Sequence, residues 1–94
     1  MKRELLTDEE LSRALQDIPT WQVVDGRLRR TVQCPTFPEA IEFVRRVAEA
    51  AEALNHHPDI DIRWRTVHLT LWTHDRGGLT EYDVELARRI DRVV

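Results

Sequence analysis

The stretch Ile60-Asp61-Ile62-Arg63-Trp64-Arg65-Thr66-Val67-His68-Leu69-Thr70-Leu71 decides the fold class. Its apolar residues occupy positions 60, 62 and 64, then switch parity to 67, 69 and 71. Strand side chains alternate between faces, so a period of two with one switch describes two strands joined by a tight turn. A two-residue loop at Arg65-Thr66 accounts for the switch, because Trp64 and Val67 then stand opposite each other on one face. One apolar and one polar face is the pattern of an antiparallel sheet covered on one side. Gly77-Gly78 closes the second strand.

Upstream, Trp21 to Gln33 repeats the device. Asp25-Gly26 is a two-residue hairpin turn signal, and residues 23 and 28 then pair. The covered face collects Trp21, Val23, Leu28 and Val32. Arg30 falls on that same face and is expected to snorkel to solvent.

Helices fill the gaps between and around the hairpins. Thr7-Asp8-Glu9-Glu10 is a capping box, with Leu6 and Leu11 placed as a hydrophobic staple. Leu11, Ala14, Leu15 and Ile18 form one face of the helix it opens, and Pro19 ends it. Thr36-Phe37-Pro38-Glu39 is a second capping box, with proline in the first turn, and its helix runs to about Leu54. Thr80-Glu81-Tyr82-Asp83 opens the last helix, with Leu79 and Val84 as another staple. Its inner face is Tyr82, Leu86, Ala87, Ile90 and Val93. The sum is a single domain over residues 1–94 with an α+β fold. A four-stranded antiparallel sheet carries three helices packed on one face, in the order α-ββ-α-ββ-α.

The central helix is apolar over more than one stripe: Ile41, Phe43, Val44, Val47, Ala48, Ala50, Ala51 and Leu54. Two readings fit. The whole surface is buried within one chain, or part of it meets another copy of the chain. Size gives the second reading a motive, since a chain of 94 residues buries only about 60–65% of its unfolded surface.

Composition excludes several functions. One third of the residues are charged and the net charge is −3, with both signs interspersed, which argues against a nucleic-acid binder that works by phosphate neutralisation. No apolar run approaches the roughly 20 residues of a membrane helix. The opening residues reach Thr7-Asp8-Glu9-Glu10 before any apolar secretory core develops. A lone cysteine, Cys34, forms no internal disulfide and fits a reducing cytoplasm.

Chemistry points to the histidines. His56 and His57 stand at the exit of the central helix, where unpaired carbonyls favour a cation. Adjacent imidazoles can supply a proton donor and an acceptor near neutral pH. The same pair also suits a plain polar helix terminus. Strand alternation sets His68, Thr70, Trp72 and His74 on the face opposite Val67, Leu69 and Leu71, so Trp72 and His74 stand together. His68 reads as a solvent-side bystander. Glu52, one turn before His56, is placed to reach its imidazole. Asp83 is explained by its capping box alone. No metal site is expected, because adjacent histidines rarely share one ion and no zinc-helix motif is present. Cys34 has no partner for nucleophilic catalysis.

Taken together, Glu52, His56-His57-Pro58, Trp64, His74 and Asp83 resemble the pattern of the pterin-4a-carbinolamine dehydratases. The flanking Leu54-Asn55-His56-His57-Pro58-Asp59, Val67-His68-Leu69-Thr70-Leu71 and Thr73-His74-Asp75 agree, and the resemblance covers nearly the whole chain. It implies a cytoplasmic hydro-lyase that dehydrates 4a-hydroxytetrahydropterin to quinonoid dihydropterin, recycling the pterin of aromatic amino-acid hydroxylases without a cofactor. It implies a homodimer or homotetramer and a functional link to such a hydroxylase. Catalytic residues carry over to His56, His57 and His74, and substrate contacts to Glu52, Asn55, Pro58, Thr73 and Asp75. Trp72 departs from the family, whose members often have a small polar residue there. Relatives that act as dimerisation partners of transcription regulators or as assembly factors supply an alternative, a non-catalytic scaffold of the same fold.

Overall fold

The computed structural model describes residues 1–94 and contains helix α1 (Asp8–Leu15), strands β1 (Gln22–Val24) and β2 (Arg27–Gln33), and helix α2 (Phe37–Leu54). Strands β3 (Asp59–Arg63) and β4 (Thr66–Leu71) and helix α3 (Glu81–Val93) follow, with a single 3-10 turn at His74–Arg76 before α3. The strands form one antiparallel sheet in the order β1-β2-β4-β3. The expected α+β architecture and element order are therefore present. No helix is long and apolar enough to cross a membrane.

Local chemistry explains the helix starts. Thr7 and Glu10 exchange hydrogen bonds as a full capping box, while at α2 only the Thr36 hydroxyl accepts, from the Glu39 amide. The first helix is shorter than its apolar period suggested. It ends at Leu15, and Ile18 enters the core from the turn that follows.

The core lies between the sheet and α2 and α3. Leu28, Val67, Leu69 and Leu71 of the sheet meet Val47, Leu86 and Ile90 of the helices in one buried cluster. Val23 pairs with Leu28 as expected, but on the edge strand it stays 41% exposed.

Two expectations need correction. The turn between β3 and β4 is Trp64-Arg65, not Arg65-Thr66, because Arg63 pairs with Thr66 and Ile62 with Val67. Parity could not separate the two registers, since both set an apolar residue opposite Val67. Trp64 consequently occupies the left-handed turn position, with φ 59°, and is exposed rather than on the inner face. Arg30 does not snorkel to solvent either. Its guanidinium donates to Asp91 of α3 at 2.5 Å, and the Trp21 indole donates to the same oxygen at 2.7 Å. A carboxylate with two donors lets a cation stay near the core face.

Candidate active site

The site begins with the way α2 ends. Asn55 takes the left-handed conformation, φ 49° and ψ 44°. Its amide donates to the Glu52 carbonyl, and the His56 amide donates to the Ala51 carbonyl. That paired closure satisfies two of the orphan carbonyls and reverses the chain. It sends the two adjacent histidines in different directions. His56 turns into the protein and is 8% exposed. His57 swings back over the last helical turn, where Nε2 meets Glu52 Oε2 at 2.5 Å, with both side chains exposed. Glu52 was expected to reach His56, the partner one regular turn away. The left-handed residue between them gives it His57 instead.

His56 finds a different carboxylate. Its Nε2 lies 2.6 Å from Oδ1 of Asp83, which is wholly buried in the first turn of α3. Asp83 is more than the capping residue its sequence position suggested. Its other oxygen accepts from the Thr80 amide at 2.9 Å and from the Thr73 hydroxyl at 2.8 Å. Because the Thr73 proton is committed to Asp83, the Thr80 hydroxyl is the donor in the 2.8 Å contact between the two threonines. The carboxylate holds the imidazole through Nε2–H, which fixes the tautomer and ring plane. Nδ1 has no protein partner, yet no buried side-chain nitrogen or oxygen is left unpaired. That nitrogen therefore keeps some access to solvent.

His74 arrives from the other wall. β4 stops at Leu71, and Thr73 bridges to Gly78, so residues 74–77 form a tight excursion closed by Gly77 at φ 68°. His74 is exposed at its start, with its ring 4.1 Å from that of Trp72 and tilted by 33°. Trp72 is held in turn by the Arg27 guanidinium 4.0 Å over its ring and by a bond from its indole to Asp59 at 3.2 Å.

These elements enclose a cleft of about 220 Å³. Asn55, His56, His57, Thr73, His74 and Asp75 line it, with Trp72 and Arg3. Three of the four histidines thus share one small cavity. Glu52 lies outside the lining and acts on it through His57, and Pro58 is also outside it. His68 is on the open face of the sheet, where its Nδ1 contacts the Thr31 hydroxyl at 3.0 Å. A larger hollow of about 450 Å³ lies between α1 and α3, but its carboxylates and arginines are mostly committed to caps and ion pairs, and it holds no histidine. No three of its histidine, cysteine or carboxylate side chains converge closely enough to hold one metal ion.

Arg3 escaped sequence reasoning. It comes from residues 1–6, which run along the loop before α3: the Leu6 amide donates to the Leu79 carbonyl and the Lys2 amide to Glu81. Arg3 Nη2 donates to both oxygens of Asp75, at 2.6 and 2.8 Å. That contact holds the Asp75 carboxyl below the usual carboxylate range. No spacing rule links residues so far apart in the chain.

Comparison with known proteins agrees with the geometry. The family described as Pterin 4 alpha carbinolamine dehydratase matches residues 4–93. A Nocardia farcinica protein provisionally named pterin-4-alpha-carbinolamine dehydratase is 58% identical over 93 residues, covering 99% of this chain and 98% of its own. One from Mycobacterium tuberculosis with the same provisional name is 56% identical over 87 residues, covering 93% of each. The crystal structure of a transcriptional coactivator/pterin dehydratase from Brucella melitensis superposes with a TM-score of 0.91 at 34% identity, over 96% of this chain and 98% of that one. A pterin dehydratase-like RuBisCO assembly factor of the alpha-carboxysome shares the fold, with a TM-score of 0.64 at 22% identity over 78% of this chain and 84% of its own. This chain belongs to the pterin-4-alpha-carbinolamine dehydratase family.

Proposed function

We propose that this protein is a hydro-lyase that dehydrates 4a-hydroxytetrahydropterin to quinonoid dihydropterin and water. The observation that carries the reading is the convergence of His56, His57 and His74 on one cleft of about 220 Å³. That volume is somewhat below the range of about 300–1,000 Å³ usual for small-molecule sites, as suits a compact bicyclic substrate in an open cleft.

The reaction breaks the C4a–O bond, with a proton delivered to the leaving hydroxyl and the N5 proton removed. One acid and one base suffice, and the proton balance closes with the release of water. His57 and His74 act as the acid–base pair. Each is exposed, so each can exchange its proton with solvent between turnovers. His56 orients the substrate or relays a proton through Nδ1, since Asp83 holds its other nitrogen. Glu52 fixes the His57 ring, and Trp72 backs His74. The site calls for no cofactor and no metal. Asn55 and Asp75 line the cleft and contact the substrate in this reading, while Thr73 supports the floor through Asp83.

The protein works in the cytoplasm beside an aromatic amino-acid hydroxylase whose spent pterin it returns. It does so as a homodimer or homotetramer. Support for self-association is the outer face of α2, where Phe37 and Ile41 are 48% and 45% exposed. The test is direct. Purified protein is added to chemically generated carbinolamine, and quinonoid dihydropterin is followed optically. Acceleration above the spontaneous rate is expected. No acceleration, together with a stable protein partner recovered on the chain, would favour the scaffold alternative.

A further inference from the structure

We infer that Arg3, beside the substrate contact already assigned to Asp75, donates to the pyrimidinone edge of the substrate, an inference that rests on the dehydratase reading. Both line the cleft that holds the three histidines. The pairing is one-sided: Nη2 alone carries both contacts to Asp75, and Nε and Nη1 have no protein partner. A guanidinium offers five donors in a fixed plane, so donors remain beside a carboxylate that remains an acceptor. Asp75 is a carboxylate at neutral pH, and the bond from Arg3 lowers its pKa further.

A pterin presents the complementary pattern. Its C4 carbonyl accepts and the neighbouring N3–H donates, side by side in the ring plane. C4 is bonded to C4a, so anchoring that edge sets the reacting carbon one bond away from the anchor. Asp75 directly follows His74 in the same short turn, which couples the anchor to one of the proton-transfer groups.

The placement is built rather than incidental. Arg3 Cζ lies 5.5 Å over the Tyr82 ring. On either side, the backbone bond from Leu6 to Leu79 and the Lys2 contact with Glu81 tie residues 2–6 to the loop. Leu5 packs close to Gly78, where an added Cβ would come within 2.9 Å of its side chain. An exposed ion pair adds little to stability, so the fold gives no sufficient reason for this pairing at the rim of the cleft.

The test compares two probes in wild-type, Arg3→Ala and Arg3→Lys proteins. One probe is 7,8-dihydropterin, with the carbonyl and N3–H edge. The other is 2,4-diaminopteridine, whose corresponding edge carries an amino donor and a bare ring nitrogen. Wild-type protein should prefer the first by about tenfold or more, the scale of one charge-assisted hydrogen bond. Arg3→Ala should lose most of that preference, and Arg3→Lys should retain part of it. In turnover, Arg3→Ala should raise KM about tenfold with a much smaller change in kcat. Equal weakening of both probes, or an unchanged preference in Arg3→Ala, overturns the inference while the dehydratase reading stands. Wild-type protein that neither accelerates dehydration nor binds 7,8-dihydropterin overturns both.

Discussion

His56 Nε2 stands 2.6 Å from Asp83 Oδ1, joining the exit of α2 to the entry of α3 through two buried side chains. The same carboxylate accepts from Thr73 and Thr80. One residue therefore caps a helix, secures the end of β4 and orients a candidate catalytic ring.

Asp83→Asn should disturb the last of these. With its oxygen kept toward Thr73 and Thr80, the amide turns a donor toward His56, whose N–H loses its partner. Urea unfolding should show a loss of about 1–3 kcal/mol, the scale of one buried unsatisfied polar group. Activity should fall further than stability explains, because the His56 tautomer is no longer imposed. Wild-type unfolding and wild-type rate together would refute the assignment.

Asn55 separates backbone from side chain. Its φ of 49° suits glycine, so Asn55→Gly should retain the fold and the split between His56 and His57. Asn55→Ala should cost about 0.5–1 kcal/mol, since alanine enters the left-handed region less readily than asparagine. Any loss of pterin affinity in a well-folded Asn55→Gly protein then reports the amide itself. Thermal unfolding and pterin binding measured side by side distinguish the two effects.

Acid should weaken the fold in a defined direction. Glu10 lies below the ordinary glutamate value, chiefly through the Thr7 amide and then its hydroxyl. Glu42 and Glu85 are lowered chiefly by hydrogen bonds from Arg45 and Arg89. A folded-state pKa below the unfolded one gives stability that is present above about pH 4.5 and lost as pH falls through the folded value. Thr7→Ala, which removes the hydroxyl acceptor and loosens the box, should be less stable than wild type near pH 7. The gap should narrow toward pH 3. A gap that widens in acid would contradict the assignment.

How much of this was legible depends on range. Helix starts, the Asp25-Gly26 hairpin and the alternation of β4 are local signals that appear as expected. The α2 start, however, lacks the Glu39 half of its capping box, and Val23 and Ile60 stay exposed on the edge strands. The turn at Trp64-Arg65 was misplaced by one residue because alternation fixes faces but not which two residues turn. The partner of Glu52 was misassigned because one left-handed residue, Asn55, rotates everything after it off the helical period. Arg30 with Asp91, His56 with Asp83 and Arg3 with Asp75 all join distant parts of the chain. Each satisfies a polar group that the sequence shows only as an oddity or, for Arg3, does not flag at all. The clustering of His56, His57 and His74 was legible; the carboxylates that hold the first two in place were assigned only through the folded chain.

In the proposed reaction, imidazoles in this cleft move the protons of the dehydration. The most direct measurement is the rate at which His57→Ala and His74→Ala proteins, each checked for wild-type folding, convert synthetic 4a-carbinolamine. Both side chains are exposed, so neither change should unfold the chain. Each should lose about 10²–10⁴-fold in kcat, the usual worth of a positioned acid or base. Two well-folded variants that both dehydrate the substrate at the wild-type rate would contradict that role for the imidazoles.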